Sequence, residues 1–183
     1  MSHPAGWADR RPATGPAEEL DDVLKRLSAQ LDELTGPGCA AGAAGPPSLC
    51  LGELYGYLVE DLGPVLLALS ERVRPALRRA GAVGPGTRAA EEHARLLRLT
   101  ERVAVLRDAF ALGGDPNKLR DAAVALVAEC AALATTHLLR AHDTLPTALR
   151  TLPPDVAVRI VDTARRTARV IQDRAQESEP ALL

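Results

Sequence analysis

The stretch LRDAAVALVAECAALATTHLLRAHDTLP, residues 119–146, decides the fold. Leu119, Ala123, Leu126, Cys130, Leu133 and His137 recur at steps of four and three, which in a helix places them on one stripe. The stripe is apolar until His137, where an imidazole replaces hydrocarbon. His142, Asp143 and Pro146 follow, so ligand-type groups gather at one end of a helix that otherwise reads as core. The remaining segments read as a wrapping for this helix.

On its N-terminal side, Gly113-Gly114 closes a third helix, and Asp115-Pro116 supplies an N-cap and a first-turn proline for the fourth. The third helix runs from Thr87, a candidate N-cap, to about residue 112. Its inner face carries His93, Leu96, Leu99, Val103, Leu106 and Phe110. Before it, residues 48–80 keep an apolar stripe from Leu51 to Leu77, with Gly63-Pro64 and Pro75 inside; a kink or local break is expected near Pro64. The first helix spans about 16–35 through Leu20, Val23, Leu24, Leu27, Leu31 and Leu34, and the Gly/Ala/Pro-rich residues 36–48 read as a flexible link. Downstream, Leu152-Pro153-Pro154 breaks the chain before a fifth helix, about 155–173, which docks through Val156, Ile160, Ala164, Thr167 and Ile171.

No segment alternates as a strand does. The expected fold is all-α: an up-down-up-down four-helix bundle with an additional C-terminal helix. Its domain covers 17–175, between a disordered arm at 1–16 and a loose tail at 176–183.

Composition narrows the function. Residues are 46% hydrophobic but only 2% aromatic, so the core is Leu, Val and Ala, with few rings for stacking bases or sugars. A formal net charge of −2 argues against an electrostatically driven nucleic-acid binder. Cys39, Cys50 and Cys130 cannot all pair, and Cys130 sits on the apolar stripe as a small hydrophobe. The opening MSHPAGWADRRPATG has no apolar signal core, and the run 122–133 is short and interrupted by Glu129. The expected setting is the cytoplasm, with no membrane span and no nucleic acid. No nucleophile elbow, P-loop, dinucleotide fingerprint or zinc spacing occurs, so the reading leans away from an enzyme.

The two hairpins echo each other. AEE precedes Leu20 in one and His93 in the other, and Glu60-Asp61-Leu62-Gly63-Pro64 aligns with His142-Asp143-Thr144-Leu145-Pro146. In that register Tyr55 falls opposite His137. A doubled αα-hairpin with a histidine opening the third helix and HLLRAHDTLP closing the fourth resembles the hemerythrin-like domains. The resemblance implies iron held by histidines and carboxylates inside the bundle, for redox or gas sensing or iron handling. It is a divergent resemblance: Leu20 or Val23, Tyr55 and Ala141 stand where ligands would be.

The candidate metal ligands are therefore His93, His137, His142, Asp143, Tyr55 and Glu60. His142 lies about 140° around an ideal helix from His137, so it shares a metal with His137 only if Pro146 distorts that turn. Tyr55 reads either as a phenolate ligand or as an amphipathic ring at the bundle rim, and Tyr57 as a surface ring. Glu91 and Glu92 read as favourable charges at a helix start. Two functions compete. One is the divergent iron-binding bundle. The other is a metal-free helical protein-interaction or regulatory module that kept the bundle and lost the site. They differ in whether the two inward histidines and carboxylates converge on one point.

Overall fold

A computed structural model describes residues 15–36, 47–84 and 87–178; residues 1–14 of the expected N-terminal arm, nearly all of the link, including Cys39, and residues 179–183 of the expected tail lie outside these. Among the described residues the structure is all-helical, with five helices and no strand. These are α1 (Pro16–Thr35), α2 (47–79), α3 (Thr87–Ala111), α4 (Pro116–Arg150) and α5 (Pro154–Ser178).

Local chemistry sets the ends. Asp115 caps α4, its carboxylate accepting from the Asn117 amide at 3.0 Å, with Pro116 in the first turn. Gly113, at φ 78°, supplies the left-handed residue that closes α3. α4 runs through Pro146 to Arg150. α5 continues to Ser178, past the expected 173, because no breaker intervenes before Pro180.

α2 does not break at Pro64. Its turns Tyr57–Leu62 and Leu69–Val73 widen to π-helix, and α-helix resumes after each. Proline lacks an amide and its ring crowds the carbonyl four residues back. The chain answers both prolines alike: the amide just before each reaches five residues back, Gly63 to the Leu58 carbonyl and Arg74 to that of Leu69. Gly63 has to be glycine, because a Cβ there would lie 2.6 Å from the Leu58 oxygen.

α4 packs against α1, α3 and parts of α2, while α5 packs mainly on the middle of α2 and on α1. Leu20, Leu24, Leu31, Leu51, Leu54, Leu62, Leu66, Leu69, Leu138, Leu145 and Leu149 are fully buried, each stabilising the fold by about 1.5–3 kcal/mol relative to exposure. α1 and α4 are stitched by Glu18–Arg150 and Asp21–His142. α1 and α2 meet where Tyr57 donates to the Leu27 carbonyl (2.8 Å) and Gln30 donates to Asp61 (2.9 Å).

Two packing expectations are corrected. Tyr57, expected at the surface, is only 2% exposed, because its flank of α2 faces α1. The docked face of α5 centres on Ala157, Val161, Ala164 and Ala168, one position round from the expected stripe. Its alanines allow close approach to α2, and Val156, Ile160, Thr167 and Ile171 flank the seam half-buried.

Candidate functional site: a buried histidine cluster

His137 lies where the apolar stripe of α4 meets the N-terminal turns of α3 and the C-terminal part of α2. It is 4% exposed, the one polar residue among the buried ones described. Glu92 of α3 sits with Oε2 3.6 Å from its Nδ1, beyond a hydrogen bond, while Oε1 pairs with Arg140 one turn further along α4. The Nδ1 atoms of His137 and His93 are both buried without a hydrogen-bond partner among the described residues.

The electrostatics favour neutral rings. Burial first, then the Arg74 guanidinium, then His93, push His137 down to about 4. Glu92 would favour an imidazolium, but its charge is engaged by Arg140, and desolvation prevails. His93 is also lowered by burial, against an opposing pull from Glu71. Two neutral imidazoles with idle ring nitrogens thus face a guanidinium in a mostly apolar seam.

The remaining candidates fall elsewhere. His142 is 2.9 Å from Asp21 of α1 through Nε2 and 3.7 Å from Asp143 through Nδ1. As the helical angle requires, it turns away from His137, since Pro146 leaves α4 continuous. Tyr55 is half-buried beneath Arg107, whose guanidinium carbon lies 4.3 Å from the ring centroid, a cation–π contact at the rim. Glu60 belongs to the first π turn, where its backbone carbonyl accepts from Gln172 of α5 at 2.7 Å. The structure therefore brings His93 and His137 together and sets His142, Asp143, Tyr55 and Glu60 apart.

Among the described residues no three His, Cys, Asp or Glu side chains group where one metal ion could be held. The donors at hand are two imidazoles and a carboxylate already paired with Arg140, with the Arg74 charge beside them. That set does not suit an iron ion, which needs several anionic or neutral donors free of cations. Cys50 and Cys130 are buried free thiols, and burial raises Cys130 to about 11, so it is an inert core group.

Glu92, Arg140 and Arg74 are the site residues missed by periodicity. The one signal was Arg140 three residues after His137, on the same face of α4. No protein-family model, no curated protein and no solved structure matches the chain.

Proposed function

We propose that this chain is a metal-free helical protein-interaction module that self-associates through the outer face of the α3–α4 hairpin. The observation that carries the reading concerns α4. Residues Asn117–Arg150 form a helix long and apolar enough to cross a membrane, yet only 39% of its most apolar 18-residue window is buried. A core helix would bury most of that window; here much of it awaits a cover.

The open face has a shape. Val105, Leu106 and Ala109 of α3 and Leu119, Ala122 and Leu126 of α4 line a groove of about 610 Å³, with Val105 71% exposed. Its rim carries both signs, Glu101 and Arg102, and Arg102 pairs with Glu129 of α4 at 3.0 Å. Mixed charges around an apolar strip suit a two-fold copy, in which each sign meets its opposite, better than hydrocarbon. A net charge of only −2 offers little repulsion between copies.

Sedimentation equilibrium tests this. The expected result is a dimer that becomes a folded monomer in a Val105→Glu/Ala122→Glu variant. Both positions are exposed, so the fold is expected to survive, as circular dichroism would verify. A monomer at all concentrations, a dimer insensitive to the variant, or flotation with lipid vesicles through the same face would contradict the reading.

A further inference from the structure

A cavity of about 490 Å³ opens between the last turns of α2, the loop at 80–84 and the C-terminal third of α4. Arg74 and Arg78, one helical turn apart, both line it. Among the described residues neither guanidinium makes an ion pair or a hydrogen bond. Burial, followed by repulsion from Arg78, holds the Arg74 guanidinium below its ordinary range. Two neighbouring cations without an ion-pair partner, one of them partly desolvated, cost stability. A fold that keeps them gains something that neutralises them.

The other walls narrow what that is. The Thr144 and Thr151 hydroxyls donate to the Arg140 and Ala148 carbonyls, each at 2.7 Å, so their protons are committed. Thr147 has no partner among the described residues and keeps its hydroxyl proton to give. The Val83 and Gly84 amides bordering the cavity likewise make no backbone hydrogen bond among the described residues. Asp143 stands at the edge, 74% exposed, and can accept from a hydroxyl. Two guanidinium forks with a hydroxyl donor match the oxygens of a phosphate. The acceptor at the edge favours a phosphate attached to a hydroxylated organic group. The volume lies within the range of small-ligand sites.

We propose that this cavity binds a soluble phosphomonoester, its phosphate held by Arg74, Arg78 and Thr147 and a hydroxyl of its organic part by Asp143. The second π turn prepares the site: by delaying the register just before Pro75, it sets Arg74 between the cavity and His137. The site does not depend on self-association through the hairpin, which lies at other residues.

Thermal unfolding of the full chain with glycerol 3-phosphate tests this, against sodium chloride at matched ionic strength. A ligand at ten times its dissociation constant is expected to raise Tm by about 3–6 °C. The rise should vanish in Arg78→Gln, an exposed position that does not threaten the fold, and in Arg74→Met. It should persist in Arg79→Gln, whose guanidinium donates to the Pro75 carbonyl. Without ligand, Arg74→Met should unfold at higher temperature than the wild type, which a merely structural arginine would not show. No rise at millimolar ligand, an equal rise in chloride, or a rise that survives in Arg78→Gln would overturn the proposal. Binding confined to phosphatidic acid vesicles would overturn it as well.

Discussion

The two π turns of α2 are alike in sequence logic and opposite in surroundings. Each ends one residue short of an X-Pro pair, and each passes its last amide five residues back. Around the first, the polar groups are satisfied: the Tyr57 hydroxyl on Leu27, Asp61 on Gln30, the Glu60 carbonyl on Gln172. Around the second, His93 and His137 hold idle nitrogens, and the Arg74 and Arg78 guanidinium groups make no ion pair among the described residues. One local device thus serves two ends. Where its surroundings are closed it joins three helices; where they are open it leaves free energy unrecovered, as binding sites do.

The sharpest way to break the first region is at Gly63. Glycine-to-alanine changes inside helices ordinarily gain about 0.5–1 kcal/mol, and Gly56→Ala, with open space around its Cβ position, should do so. Gly63→Ala should instead lose about 2–4 kcal/mol, because its Cβ would meet the Leu58 carbonyl at 2.6 Å. Urea unfolding of both variants checks the reversal of sign.

The second region breaks with acid. In the folded chain His137 is pushed down to about 4, below the ordinary 6.5. Between these values the unfolded chain binds the extra proton, so stability rises with pH there. The contribution is whole above about pH 6.5 and gone below about pH 4, a loss of about 3 kcal/mol. His137→Leu should flatten that part of the profile in urea unfolding at pH 7.5 and 4.5. His93, lowered by the same burial, leaves a smaller residue of the effect.

Tyr57→Phe is the mildest test. It removes the hydroxyl that donates to Leu27 while keeping the ring, and should cost about 1 kcal/mol in thermal unfolding. Tyr55→Phe keeps the ring beneath Arg107 and should change little, which ranks the two tyrosines in the order opposite to the one their spacing suggested.

That reversal shows where sequence reading stops. Helix count and caps are local, so the 3.6-residue period and Asp115-Pro116 were enough for them. The fate of a proline inside α2 was not, since Gly63-Pro64 is equally compatible with a break, and only the packing of α1 and α5 on that turn selects a wider one. His93 and His137 were legible as inward residues because their stripes are. Glu92 and Arg140 were not, because which polar groups meet across α3 and α4 depends on helix rotation. For the same reason His142 and Asp143, adjacent to the site in sequence, belong to the contact with α1.

The measurement closest to the centre of this account is a pH titration of the four histidine rings by ¹H–¹⁵N NMR in the intact chain. The expected result is a His137 ring neutral at pH 7 that takes up its proton only near pH 4. A His137 ring protonated at or above pH 6.5 would mean that Glu92 holds it as an ion pair, the second π turn would then be as satisfied as the first, and the contrast would fail.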